Sequence, residues 1–294
     1  MSKKVFVLGA RGIQGSAIAK RIILNGHTVN TLSSDTNSAE LLDGIESYSG
    51  DLSNKPSIAK ALENVDVAIY TFPLIFDMDK ATSFTQNFID AAKQQNIPFV
   101  IFNSSFDLPE NKISFLGMDI KYEIQKQFEK SGLEVLTLMP DIYLNNLAAP
   151  WSIPLVVEKN ILPYPIESDK KVPWISHQDL ARFITSAIEK PELAGQKLPI
   201  GGTLLSGEEI AASISDHLDQ EIKFISLKPD DFEKQLIPAF GELNAKEISN
   251  LYRYVEKERE HLIHKSFSRT QELLGIQPMT IKQWVESVDW VSSK

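Results

Sequence analysis

Val5-Phe6-Val7-Leu8-Gly9-Ala10-Arg11-Gly12-Ile13-Gln14-Gly15 joins an apolar run of strand type to a sharp glycine turn. Ile13 to Leu24 then repeats apolar residues at helical spacing, and a second β-rich run, Thr28 to Leu32, follows at once. Strand, glycine turn, helix and strand within about thirty residues is the context in which such glycines signal a dinucleotide site. The glycines let backbone approach a pyrophosphate. The helix behind them offers free N–H groups and the positive end of its dipole. Without that context the same glycines would be an ordinary α/β turn.

The alternation continues down the chain. Short strands are expected at Glu46 to Ser49, Asp66 to Thr71, Pro98 to Asn103 and Leu133 to Met139, with helices near Pro56 to Glu63, Thr82 to Gln95 and Met118 to Ser131. Gly132 ends the last of these as glycine commonly does. Strands alternating with helices imply a parallel, doubly wound Rossmann sheet, with ligands beyond the carboxyl ends of its strands. From Ala148 to Pro165, four prolines and a tryptophan predict a loop-rich wall. Leu180 to Glu189 reads as helix, Lys197 to Ile200 as a brief strand, and Gly201-Gly202 as a turn. Helices dominate from Gly207 onward, including an amphipathic stretch from Asn244 to Ile263. The expected organisation is a dinucleotide-binding domain over residues 1–155 and a smaller, mostly helical lobe over 156–294. Residues near 172–202 are expected to return to complete the sheet, so the boundary is interleaved.

Composition narrows the function. Apolar residues make up 43% of the 294 and charged residues 23%, which suits a soluble globular protein. Val67 to Phe76 is too short to cross a membrane and contains Pro73. A formal charge of −9 argues against nucleic acid as the main partner, because phosphate binding needs concentrated Lys and Arg. With no cysteine there is no disulfide, thiol nucleophile or thiolate metal site, and a cytoplasmic location is expected. Glu258-x-x-His261-x-x-His264 has a spacing that could hold metal on a helix. No second ligand set accompanies it, so an exposed face is expected and no metal.

The glycines are spaced Gly-x-x-Gly-x-x-Gly. Taken with further motifs from about Lys4 to Trp284, this resembles the NmrA-like branch of the atypical short-chain dehydrogenase/reductases. That branch usually shows Gly-Ala-Thr-Gly-x-x-Gly, and Arg11 stands here in place of the threonine. The resemblance implies a nicotinamide dinucleotide held by Gly9, Arg11, Gly12, Ile13, Gln14 and Gly15. It places Gly50-Asp51-Leu52 at the adenine edge and Thr71-Phe72-Pro73 beneath the ribose and nicotinamide. Asn103 closes the fifth strand, and Pro140, in Met139-Pro140-Asp141-Ile142-Tyr143-Leu144-Asn145-Asn146, lies at the junction of nicotinamide and substrate.

An acidic residue ending the second strand favours NAD, and a basic one nearby accommodates NADP. The strand ends in Ser33-Ser34-Asp35, where the branch often has arginine at the position of Ser34. Ser33 and Ser34 can donate to a 2′-phosphate and Arg11 can reach it, whereas the Asp35 carboxylate would repel it. NADP(H) is favoured over NAD(H).

Typical short-chain reductases place Tyr and Lys four apart on one helix face, with a serine at the end of the fifth strand. Lys121 falls in the family register, ten residues before Ser131, and Ser104 takes the serine position. The tyrosine position is then Gly117, so the usual acid is absent. Tyr122-x-x-x-Lys126 satisfies the pattern literally but loses that register; packing and a solvated surface are expected for the two. Phe76, Phe106, Tyr143 and Trp151 are candidates to line an apolar or aromatic substrate, and serve equally well as core. Asp179 is expected to cap a helix and Trp174 to pack; His177 is a conceivable proton donor, with a structural role expected in preference. Two functions lead, with a reductase of a specialised carbonyl metabolite, its acid supplied from the C-terminal lobe, as a third. One is an NAD(P)H-dependent reductase of small quinones or unsaturated carbonyls, with Lys121 fixing the ribose and Ser104 or water assisting. The other is a non-catalytic NADP(H)-binding redox sensor acting through a protein partner. A homodimer is compatible with either.

Overall fold

The computed structural model describes residues 1–34 and 43–291; Asp35 lies outside the described residues. The chain forms two compact units. One takes Met1–Pro140, Leu180–Ile200 and Ser268–Ile276, and the other Asp141–Asp179, Gly201–Phe267 and Gln277–Lys294. The elements run β1 (Lys4–Val7), α1 (Ile13–Leu24), β2 (Thr28–Ser33), β3 (Ile45–Ser49), α2 (Lys55–Ala61), β4 (Val67–Thr71), α3 (Met78–Gln94), β5 (Val100–Asn103), α4 (Leu116–Ser131) and β6 (Val135–Pro140). Next come β7 (Ile142–Tyr143), α5 (Ile153–Lys159), β8 (Ile161–Tyr164), β9 (Val172–Ile175), α6 (His177–Ala187) and β10 (Lys197–Ile200). The chain ends with β11 (Thr203–Leu205), α7 (Gly207–Leu218), β12 (Lys223–Ser226), α8 (Pro229–Phe240), α9 (Glu242–Lys257), α10 (Arg259–Ile263), α11 (Phe267–Leu274) and α12 (Ile281–Ser287).

In the first unit seven parallel strands lie in the order β10-β6-β5-β4-β1-β2-β3, the doubly wound sheet expected. Strand order reverses between β1 and β4, which opens a crevice at their carboxyl ends. Alternate residues face opposite sides. Phe6, Ala68, Tyr70, Val100 and Phe102 join one buried cluster with Phe88 of α3 and Phe128 of α4. Tyr70 sits at its centre, 4.7 Å from Phe88 and 5.3 Å from Phe128, ring to ring, with its hydroxyl 2.8 Å from Thr85 Oγ1. α3 starts four residues earlier than its apolar pattern suggests, because the Asp77 carboxylate accepts the Lys80 N–H and caps it.

The second unit has a three-stranded sheet, β11-β9-β7, and a parallel pair, β12-β8. Lys197–Ile200 pairs with β6 in the main sheet, whereas Val172–Ile175 belongs to the three-stranded one. The expected loop-rich wall from Ala148 to Pro165 holds instead a helix and a strand. Pro154 falls in the first turn of α5, where its missing N–H is not needed, and Asn160 ends the helix in the left-handed region at φ 57°. Pro163 is tolerated because β8 is an edge strand paired only with β12. The stretch from Asn244 to Ile263 breaks at Glu258 into α9 and α10. Trp174 is fully buried and donates its indole N–H to Leu205 O at 3.1 Å. At the start of α6, Ser176 is the cap: its hydroxyl accepts the Asp179 N–H and donates to the Asp179 carboxylate. Asp179 therefore closes the cap from inside the helix, and also accepts the Met279 N–H.

A Cβ on Gly15 would stand 2.0 Å from Gly9 O. Gly15→Ala is expected to destabilise the fold by about 1–3 kcal/mol in urea titrations, as overpacking against backbone does. An unchanged midpoint would show that the turn yields freely.

Candidate functional site

Beyond the carboxyl ends of β1, β4 and β5 the first unit holds a cleft of about 660 Å³, the size of a small-molecule site. Gly9, Gly12, Ile13, Gln14 and Gly15 form one wall. Gly9 is left-handed at φ 74°, and its carbonyl accepts the Gly12 N–H at 2.8 Å. Gly12 precedes α1 with no side-chain cap, and the first helical turn carries no acid. The helix N-terminus is thus open and uncrowded, and it packs so close to the turn that a Cβ on residue 15 would strike the Gly9 carbonyl. These features fit an anionic dinucleotide.

Ser34, Gly50, Asp51 and Leu52 line the cleft beside β2 and β3. The Asp51 carboxylate accepts the Ser53 hydroxyl and, at 2.7 Å, the Ser53 N–H, which hold its pKa below the ordinary value. Thr71, Phe72 and Pro73 line it after β4, and Asn103 and Ser104 after β5. Arg11, Ser33 and Pro140 are outside the lining. Arg11 is exposed on the loop, Ser33 ends β2 with its carbonyl bonded to Gly50 N, and Pro140 is buried opposite Ile200 in the sheet.

Asn103 organises the centre of the site. Fully buried, it donates from Nδ2 to Gln14 Oε1 at 3.0 Å and to Thr71 Oγ1 at 3.1 Å. Its Oδ1 accepts the Ser105 N–H at 3.1 Å. That bond supports Ser105 at φ 60°, a region a non-glycine residue rarely enters and one concentrated at functional sites. The two serines then divide roles differently from expectation. The Ser104 hydroxyl is buried and donates to the backbone carbonyls of Phe106 and Leu138. The Ser105 hydroxyl is half-buried, lines the cleft and makes only a long 3.4 Å bond to Gln14 Oε1. Of the two, Ser105 is the serine whose hydroxyl is left with only a long bond at the cleft; its backbone angle is not legible in the sequence.

Lys121 lines the cleft from α4, one turn beyond Gly117, which lines it too. Lys121 donates to Ser104 O, and burial pushes its pKa down to about 8. Tyr122 and Lys126 are not part of the lining. Lys126 pairs with Glu129 at 2.8 Å and lies 5.5 Å over the Tyr122 ring. The remaining wall is apolar: Leu74, Ile75 and Phe76 after β4, Phe84 from α3, and Ile120 and Ile124 from α4. Only Phe76 of it had been singled out, since such a wall is assembled from three separated elements.

Phe106 is buried in the interior at 2% exposure and does not line the cleft, its carbonyl taken by Ser104. Tyr143 and Trp151 belong to the second unit. Tyr143 is buried with its ring 4.8 Å from that of His177, whereas Trp151 is 61% exposed. Burial pushes the His177 pKa down to about 4, so the imidazole packs as a neutral ring, while the backbone N–H of the same residue donates to Asn145 Oδ1. Among the described residues no three His, Cys, Asp or Glu side chains are placed to hold a metal ion. No helix among them is long and apolar enough to cross a membrane.

The chain is similar to several known proteins. An NAD(P)H azoreductase of Xenophilus azovorans is 25% identical over 230 residues, covering 76% of this chain and 77% of its own. Triphenylmethane reductase of Citrobacter sp., solved with NADP(H), superposes with a TM-score of 0.80 at 16% identity, covering 96% of this chain and 99% of its own. The negative transcriptional regulator NmrA superposes with a TM-score of 0.78 at 15% identity, covering 99% of each chain. NmrA has been solved with NADP and with NAD. The model of the NmrA-like family matches residues 1–285, and the chain belongs to that family.

Proposed function

We propose that this protein is an NAD(P)H-dependent reductase whose hydride acceptor is a small quinone or unsaturated carbonyl. The observation that carries the reading is one cavity combining an uncapped, glycine-lined helix N-terminus and Lys121 with an uncharged, apolar wall of aliphatic and aromatic side chains. Bound there, the cofactor supplies hydride from its nicotinamide ring. The N–H groups opening α1 meet its pyrophosphate, while Asp51 and Leu52 flank the adenosine. Ser34 and Arg11 receive the 2′-phosphate that distinguishes NADP from NAD. Lys121 holds the nicotinamide ribose, and the half-buried Ser105 hydroxyl, backed by water, donates to the acceptor oxygen.

Gly117 leaves no phenol for the proton. That suits acceptors such as quinones, in which hydride transfer needs little help from a positioned acid. The azo and triphenylmethane compounds named for two similar proteins are also conjugated acceptors. Gly117 and the likeness to NmrA favour a second reading, a sensor of cofactor redox state acting on a protein partner.

The test is to follow reduced-nicotinamide absorbance while the protein meets NADPH or NADH and a panel of quinones, enals and ketones. Turnover preferring NADPH is expected with quinones, falling by at least about 100-fold in Lys121→Ala. Ser105→Ala is expected to lower it about tenfold, the loss of one hydrogen bond. Tight NADPH binding without oxidation by any acceptor would favour the sensor instead.

Lys121 also makes the protein without cofactor respond to pH. Between about pH 8 and its ordinary value of 10.5, the lysine is largely neutral when folded and charged when unfolded. The unfolded chain then binds the extra proton, so this lysine makes stability rise with pH across that window. Lys121→Met is expected to be more stable than the parent at pH 7, with the gain shrinking towards pH 10, in paired urea titrations. A constant difference would contradict the buried, lowered lysine.

A further inference from the structure

The second unit contains a cavity of about 320 Å³ that shares no lining residue with the cleft, and the function proposed above makes no use of it. Its interior is apolar, with Ile166, Val172 and Val255 buried beside Tyr252. Tyr252 is rigidly held. Its hydroxyl is 2.6 Å from that of Tyr164, which accepts the Asn146 amide at 3.1 Å. Its ring meets those of Tyr164 and Phe232 edge-on, each at 5.3 Å. Burial pushes its pKa up to about 12, so the phenol stays neutral and contributes an aromatic surface.

The mouth is charged. Lys170, Lys228 and Arg259 line it with Glu167 and Glu256, an excess of cations in a chain whose formal charge is −9. The carboxylates nearest to two of these cations come from residues outside the lining: Asp169 at 3.6 Å from Lys170 and Glu260 at 2.7 Å from Arg259. An apolar, ring-lined interior below a few convergent polar groups is the build of a small-molecule site. A planar guanidinium at its rim suits a carboxylate, which it can meet with two parallel hydrogen bonds. We propose that this cavity binds a small aromatic carboxylate, its ring packed on Tyr252 and Val255 and its charge met by Lys228 and Arg259. The proposal stands apart from the reductase reading, because neither the residues nor the ligand class overlap.

The test is calorimetric titration of the whole protein with 2-naphthoate, with and without saturating NADPH. 2-Naphthol and 2-naphthylmethylamine carry the same rings without the negative charge. Naphthoate is expected to bind under both conditions and at least about tenfold more tightly than either control. The double variant Lys228→Glu, Arg259→Glu should weaken it by at least about tenfold at an unchanged melting temperature. Lys228→Ala, at an exposed position, replaces it if the double variant melts early, with weakening again expected. Absence of binding, equal binding of a control, or indifference to the substitutions would overturn the proposal. Loss of naphthoate binding on adding NADPH would also overturn it, by assigning the probe to the cofactor cleft.

Discussion

The carbonyl of Gly9 stands where a side chain on residue 15 would begin, 2.0 Å from an ideal Cβ there. Because residue 15 is glycine, α1 can start against the turn that ends β1 and point its N-terminus at the place where strand order reverses. The turn is secured from below: Thr31 Oγ1 donates to Val7 O at 2.8 Å and accepts the Ala10 N–H at 3.4 Å. β1, its turn and β2 are therefore tied together into one piece by these bonds, with α1 packed against the turn. The ends of β4 and β5 are placed against that piece by the parallel registers of Val5 with Val67 and Ala68 with Val100.

Asn103 carries this order across the cleft. One buried amide binds the glycine-loop helix through Gln14, the end of β4 through Thr71 and the turn after β5 through Ser105. A buried amide loses free energy for every hydrogen bond left unmade, so the three partners hold one another in place. The left-handed Ser105 is the consequence that matters for chemistry, since it brings the second serine hydroxyl to the cleft while the first is engaged by backbone. Lys121 is tied into the same turn through Ser104 O. The groups that would touch cofactor and acceptor thus belong to one hydrogen-bonded assembly.

The first unit was readable in the sequence because its strands are covered on both faces and so appear as apolar runs, such as Val5 to Leu8 and Val100 to Phe102. Glycine marked the turn, and the family register led to Lys121 and the vacant Gly117. What escaped depended on backbone angle or on partners distant in the chain. Neither Ser105 at φ 60° nor the cap at Ser176, displaced from Asp179, leaves a periodic trace. Four prolines between Ala148 and Pro165 suggested loop, yet Pro154 sits in a first helical turn and Pro163 in an edge strand. The second cavity draws on Pro165 to Val172, Ser226 to Pro229 and Tyr252 to Arg259, three stretches with no common pattern.

On the proposed reading, burial would link the role of Lys121 to the choice of acceptor. Lys121, whose pKa burial lowers to about 8, shares the cleft with Phe72, Ile75, Phe76, Phe84 and Ile120, which offer no charge to an incoming molecule. A charged acceptor would lose hydration there with little in return. A neutral, planar, conjugated one would gain by leaving water. On the proposed reading, the same apolar surroundings would strengthen a bond from Ser105 to an acceptor oxygen that gains negative charge. A phenol at position 117 would supply a stronger acid but would take up volume beside Lys121. On the proposed reading glycine would leave that volume to the acceptor, a trade that suits molecules ready to accept hydride without prior protonation.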